Sequence, residues 1–459
     1  MKKLLYVFLF LLQTVGFSQP NWCKSSPLDY MWMNVGTVGF TEGEADYISF
    51  AFSLTGKPYV AFEDYGNFHR ASVMKFDVTN WVYIGDPGFS AGSVYYVSLA
   101  FSAAGDPYVA YEDGYLGPVT IMKFDGTNWL NIGAPGFSSG MANYISLAFN
   151  STDQPYVAYR DDANNSKITV MKFNGTNWEN VGIVGFSAGT AEFISLAFNL
   201  NDQLYVAYEE HLNITFKATV MKFDGTNWVS VGSPGFSMGM ANFTSLAFNS
   251  NGQPFVAYQD GANSLKATVM TFDGTNWLNV GMVGFSTGGS DFLSLAFSPS
   301  GQPYVAYMDE SADSGKATVM RFNGTNWENI GPEGFSAGIA VYTNLAFSPS
   351  GKPYIAYSDF GNSQKVTVMK FDSVFVDINE KIVEYLSIYP NPTSKNIIIA
   401  LKTGDIKYIE IYELSGKKIL ETQTSEFKVI LNVETFPNGI YFVKVKTNNS
   451  TFTGKFCKS

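Results

Sequence analysis

Two cysteines and two histidines are all that a chain of 459 residues contains, and their positions exclude most of the chemistry those residues support. Cys23 and Cys457 lie near opposite ends, too few for a disulfide framework and without the spacing of a metal site, so neither a Cys23–Cys457 bridge nor a bound metal is expected. His69 and His211 stand alone in separate segments and read as solvated loop residues. The chain has no nucleophile elbow, no phosphate-binding glycine loop and no metal-ligand motif, and no cofactor is expected. Basic side chains are scarce where most of the chain lies: residues 20–380 hold 33 acidic against 16 basic groups, about −17, within a formal total of −11. That balance repels a phosphate backbone and excludes nucleic acid as a partner. Long apolar runs are also missing, and no segment beyond the N-terminus has the ~20 residues of a spanning helix.

The first 18 residues explain the one apolar stretch. Lys2 and Lys3 precede "LLYVFLFLL", and small residues follow at Gly16 and Ser18. This is the pattern of a secretory signal peptide over residues 1–18, cut after Ser18, and the absence of a small-residue box before Cys23 argues against a lipid anchor.

What the chain has in abundance is repetition. Trp32, Trp81, Trp129, Trp178, Trp228, Trp277 and Trp327 recur at a period of about 49, within the range of propeller repeats. One copy reads "SLAF", "PYVAY", "ATVMRF", "WENIG", four β-rich runs separated by "SPSGQ", a longer loop and "NGTN". Four strands per repeat make one propeller blade, and the nearly continuous apolar runs suit sheets buried on both faces. "DGTN" and "NGTN" read as type I′ hairpin turns, which need positive φ at both central residues. In the first full repeat Val78 replaces the glycine of that turn, which should make it different or strained. The array opens on a lone fourth strand, "MWMNVG", and closes on three strands ending at Asp372, so the two ends should complete a seventh blade and leave no open edge. The expected fold is therefore all-β: a seven-bladed propeller over residues 19–372 closed by its N- and C-terminal strands. The strand order resembles NHL-type propeller repeats, which implies that "SLAF" lines the channel and implies no activity.

Strand parity places the "SPSGQ" and "DGTN" turns on one face and the "GFSAG" and second-to-third strand loops on the other. The latter loop opens with an acid in every blade: Asp64, Asp113, Asp161, Glu210, Asp260, Asp309 and Asp359. These seven are the candidate ligand-binding residues, because loops on a rigid scaffold carry function. A base opens the third strand in six of the blades (Arg70, Lys167, Lys217, Lys266, Lys316, Lys365), while Pro118 stands there in the other. Hairpin ion pairs or loop caps would explain the pattern; an acidic rim for a cation such as calcium, or for sugar hydroxyls, is the functional alternative. The seven tryptophans suit packing between blades, with sugar stacking as the other use, and the phenylalanines of "GFS" suit plugs between blades.

After Asp372 the repeat ends, residues 373–384 read as a linker, and a second β pattern fills residues 385–459; the stretch 381–459 carries 11 basic against 7 acidic groups. It carries Tyr389-Pro390-Asn391-Pro392, Leu414-Ser415-Gly416-Lys417, Gly439-Ile440-Tyr441 and a basic terminus at Lys455 and Lys458. Residues 385–459 closely resemble the type A C-terminal sorting domain of the type IX secretion system of Bacteroidetes, an Ig-like β-sandwich. The resemblance implies export by that machinery as a partner, a transient periplasmic stage, and release or attachment at the outer cell surface. Tyr389, Pro390, Asn391, Pro392, Gly416, Gly439 and Tyr441 are then the sorting-motif residues. The chain is expected to act as a monomeric secreted binding or adhesion module for a glycan or a surface protein, since weak identical sites gain avidity on a repetitive target. A secreted polysaccharide hydrolase or lyase is the other class, and a pocket that breaks the ring symmetry would favour it.

Overall fold

Strands of three to ten residues cannot stand alone in water, and this chain pairs them three or four at a time. The computed structural model describes residues 29–311, 315–374, 386–401, 404–414, 416–448 and 450–459. The signal peptide, Cys23 and most of the linker lie outside the described residues. Two units result, Tyr30–Asp372 and the tail from Ser373.

The first unit holds seven four-stranded antiparallel sheets. In the sixth, Ser290–Phe297, Pro303–Asp309, Lys316–Phe322 and Trp327–Asn329 pair in order from the channel outwards. In the seventh, Asp29–Asn34 joins the outside of Lys365–Val374, next to Pro353–Asp359 and Ala340–Phe347. The Val35 amide donates to the Val368 carbonyl at 2.8 Å, and the Phe40 amide to Val366 at 3.1 Å. The ring is thus closed by strands more than 300 residues apart, as the incomplete ends of the repeat array predict.

The repeated residues have repeated jobs. In "PYVAY" the valine or isoleucine and the alanine point to opposite faces of the sheet, yet both are wholly buried in every blade, because each face meets a neighbouring sheet. Each of the seven repeat tryptophans is buried; its ring lies flat on a phenylalanine of the "GFS" position, as in Trp129 on Phe89 at 4.3 Å, and its Nε1 donates to a carbonyl of the preceding blade, as to Ile84 at 2.8 Å. The latch runs all the way round, including across the closure, where Trp32 stacks on Phe335 and donates to Ile330. With the ring stacked on one phenylalanine, tilted against another and buried, and the N–H bonded, these tryptophans offer no open platform to a sugar. On the inner strands a serine hydroxyl accepts from a leucine amide of the next blade, as Ser98 does from Leu147. At the closure Asn344 takes that serine's place and donates to the Ile48 carbonyl instead.

The "DGTN" turn differs from its type I′ expectation. Phe124 pairs with Trp129, which leaves a four-residue loop in which Gly126, at φ 102°, has positive φ and Asp125 does not. The Asp125 carboxylate does the second glycine's work by accepting from the amides of Thr127 and Asn128, both at 2.8 Å. Those donors hold its pKa below the usual carboxylate range.

The tail forms its own core between a three-stranded sheet and a four-stranded sheet. Ile397, Ile399, Ile409, Ile411, Val443 and Phe456 are buried in it. Tyr441 is buried against Phe456, and its hydroxyl donates to the Pro437 carbonyl. Asn391 accepts from the Cys457 amide, tying the Tyr389–Pro392 segment to the last strand. Gly416 turns the chain at φ 82°, and Gly439 opens the strand Gly439–Lys446.

Candidate ligand site at the channel mouth

The seven acids of the second-to-third strand loops do not converge. Six of them are buried and Asp113 is half-buried. Each closes its own blade: Asp260 accepts from the Ala262 amide, Asn263 Nδ2 and Thr268 Oγ1, and Asp359 from Gly361, Asn362 and Thr367 in the same way. Asp64 accepts from Asn67 and Ser72, Asp113 from Thr120, and Asp161 from Asn164 and Thr169. Glu210 accepts from the amides of Ala188 and Gly189 and from Thr219, and Asp309 from Ser311. The third-strand hydroxyl in turn accepts from the "GFS" glycine amide, as Thr268 does from Gly284. The bases pair with these acids in strand register, as Asp260 with Lys266, but among the described residues no ion pair joins an acid to its base. Loop capping is what these carboxylates do.

The groups that do converge sit around the ring axis at the same end. Every inner strand has a bulge just after its start, between Asn143 and Ser146 in the third blade, for example. The bulge holds an aromatic residue near φ 50°: Tyr47, Tyr96, Tyr144, Phe193, Phe243, Phe292 and Tyr342. A left-handed conformation is unfavourable for bulky residues, and here it turns each ring toward the axis. Neighbouring rings meet at 4.7–5.3 Å all the way round, Tyr342 to Tyr47 included, and form a closed aromatic collar. It lines an axial cavity of about 260 Å³.

Above the collar lies a column of side chains one residue before each capping acid: Glu63, Glu112, Arg160, Glu209, Gln259, Met308 and Ser358. Strand parity points it away from the cap, and opposite it on the inner strands stand Asp46, Tyr95, Asn143, Glu192, Asn242, Asp291 and Val341. Glu112 accepts from the Gly117 amide and from Asn143 of the next blade. Arg160 lies over the Tyr144 ring and binds Asp162 and Glu192, while the Tyr144 hydroxyl donates to Glu192 at 3.0 Å. His69 meets Glu63 at 2.9 Å and packs at a tilt against Tyr65, which donates to Asp46. His211 lies 3.2 Å from Glu209, so both histidines belong to this rim and neither is simply solvated. Burial pushes the carboxyls of Glu63 and Glu112 up to about 7, and raises Glu209, Asp46 and Asp291 in the same direction.

The rim breaks the sevenfold symmetry. Five blades supply acid, amide or guanidinium groups in the column and two supply Met308 and Ser358. Reading along "AFED", "AYED", "AYRD", "AYEE", "AYQD", "AYMD" and "AYSD" would have found it, since this column changes charge while its neighbours hardly vary. The acid one residue later masks it, because an acid recurs there in every blade.

Comparison with known proteins bears on the two units differently. Residues 387–459 match the family model of the secretion system C-terminal sorting domain. The tail is therefore a type IX sorting domain, and the chain is exported through that machinery to the cell surface or the extracellular medium. Ulvan lyase NLR42 of Nonlabens ulvanivorans is 26% identical over 80 residues, 17% of this chain and 15% of the relative, so the match spans far less than the relative's length. PorZ, described as an essential surface component of the type IX secretion system of Porphyromonas gingivalis, is similar in structure at TM-score 0.47 and 14% identity, covering 91% of this chain and 60% of PorZ. An ulvan lyase of polysaccharide lyase family PL25 is similar at TM-score 0.47 and 10% identity, covering 74% of this chain and 93% of that one. Similarity at this level assigns no role to any residue of the channel mouth.

Proposed function

We propose that this exported propeller is a glycan-binding module with one ligand site, the mouth of its channel, rather than seven equal sites around the ring. The observation that carries the reading is the symmetry-breaking polar rim over an aromatic collar. Aromatic faces pack the apolar side of a sugar ring, and carboxylate, amide and guanidinium groups exchange hydrogen bonds with its hydroxyls. The cavity of about 260 Å³ lies just below the ~300–1,000 Å³ range of drug-sized ligand sites. That suits one sugar residue at a chain end. The ring holds collar and rim rigid, so little ordering opposes binding. A polysaccharide-cleaving role is the second reading, favoured by the Glu63 and Glu112 carboxyls, which at a pKa of about 7 can donate a proton near neutrality.

The test is a glycan array probed with the secreted chain, followed by a reducing-end assay on whatever binds. The expected result is saturable binding to one glycan class, lost in Arg160→Ala and retained in Val78→Gly on the opposite face. No binding to any glycan overturns the reading. Release of new chain ends that stops in Glu112→Gln replaces it with the second.

A further inference from the structure

Around the fourth blade the rim contains a donor set of a different kind. Glu192, Glu209 and His211 each bring one ligand atom into a group whose members lie within 4.8 Å of one another. Glu209 is only 2% exposed, while Glu192 and His211 reach the mouth. Imidazole and carboxylate together are donors for a first-row divalent cation, and bonds of about 2.0–2.1 Å in a tetrahedral site put neighbouring ligand atoms about 3.3 Å apart. His211 Nε2 and Glu209 Oε2 are already 3.2 Å apart. Glu192, whose carboxylate also meets Arg160 and Tyr144, would close the remaining gap by a small rotation of its partly exposed side chain.

The side-chain amides beside Glu209 give an independent reason to look for an electropositive group here. Gln259 Nε2 donates to Asp291, and Gln259 Oε1 accepts from Asn242 Nδ2 at 2.7 Å. The Asn242 oxygen is thereby directed at both carboxylate oxygens of Glu209, 3.1 and 3.2 Å away, three acceptors with no donor between them. Turning the Asn242 amide over sets its oxygen against that of Gln259, and turning both sets Gln259 against Asp291. The conflict moves along the chain of four residues until a proton, as on the raised Asp291 carboxyl, or a cation beside Glu209 relieves it. Glu209 has His211 as its side-chain partner, and a cation between the two relieves the conflict while using Glu192 as well.

We infer that Glu192, Glu209 and His211, with the Asn242 oxygen, form a binding site for one divalent cation of the Zn²⁺ class at the channel mouth. The inference stands apart from the glycan reading, because its test uses metal alone. The full secreted chain is stripped with a chelator, dialysed and titrated with Zn²⁺ by calorimetry, with the melting temperature followed in parallel. Expected are one Zn²⁺ per chain, a rise in melting temperature, and affinity weakened about tenfold or more in both Glu209→Gln and His211→Gln. His69→Gln, at the rim's other histidine, should bind as the wild type does. If Glu209→Gln fails to fold, His211→Gln and the wild-type stoichiometry still decide. Undiminished Zn²⁺ binding in His211→Gln, a response to Mg²⁺ or Ca²⁺ but not Zn²⁺, or no saturable binding overturns the site. A metal-indifferent wild type with a more stable Glu209→Gln would show that a proton, not a cation, fills the gap.

Discussion

Val78 is where the repeat breaks its own rule, and the break has a calculable consequence. The turn Asp77–Asn80 keeps the geometry of its glycine-containing relatives: Asp77 accepts from the Thr79 and Asn80 amides at 2.9 Å, and its own amide donates to Asn80. Val78 is therefore forced to φ 105°, where Gly126, Gly175, Gly225, Gly274 and Gly324 take φ 98–103°. A β-branched residue held there costs about 1–3 kcal/mol. Replacing it by glycine returns that strain and loses about 0.5–1 kcal/mol to the greater freedom of the unfolded chain. The side chain contributes no compensating burial, since it is 80% exposed. Val78→Gly should thus stabilise the propeller by about 1 kcal/mol, or about 1–2 °C for a cooperative unit of this size. The reverse change, Gly126→Val, should destabilise by a similar amount for backbone reasons alone, because a Cβ there meets nothing within 4 Å. Measured together by denaturant titration, the two variants should move in opposite directions from the wild type. A neutral or destabilising Val78→Gly beside a neutral Gly126→Val would refute the strain.

Three further outcomes separate structure from function. Asp260→Asn places an amide against three donors and should cost about 2–3 kcal/mol in the same titration while leaving glycan affinity at the channel mouth unchanged. Glu112 is raised by burial from 4.5 to about 7, so the folded state binds more protons than the unfolded state between those values; its share of stability falls as pH rises through that window, and Glu112→Gln should flatten the slope of a pH series of melting temperatures. Deleting residues 387–459 should leave the propeller folded but held in the periplasm, read by fractionation and immunoblot; normal amounts outside the cell would contradict the sorting role.

Much of the fold is legible in the sequence because the repeat states it seven times. The period locates the blades, the orphan strand at Met31 and the missing fourth strand after Asp372 reveal the closure, and the Tyr389–Pro392 and Gly439–Tyr441 segments mark the tail. The turn type was not legible, because an aspartate that accepts two amides substitutes for a second positive-φ residue. Nor was the depth of the loop acids. Parity says on which face of the ring a loop emerges, but the hydroxyl two residues into the third strand, Thr268 for Asp260, decides that the carboxylate turns inward. The collar left no local sign either, since Tyr144 or Phe193 in a strand reads as ordinary β composition until the bulge turns it to the axis.

The arrangement of the mouth follows from one property of strands. Consecutive residues point to opposite faces, so Glu112 and Asp113, or Gln259 and Asp260, share a backbone while facing different neighbours. The acid faces its own third strand and inter-blade loop, where any change would disturb a cap that each blade repeats. The residue before it faces the axis and the next blade's inner strand, where the backbone is already held by the ladder, the cap and the tryptophan latch. Substitution there alters the mouth without dismantling a blade, as the coexistence of Glu112, Arg160, Met308 and Ser358 on equivalent seven-residue strands indicates. A ring of near-identical blades can in this way carry a single asymmetric site. The fold is maintained by the column that does not vary, and under the proposed reading ligand contact falls to the one that does.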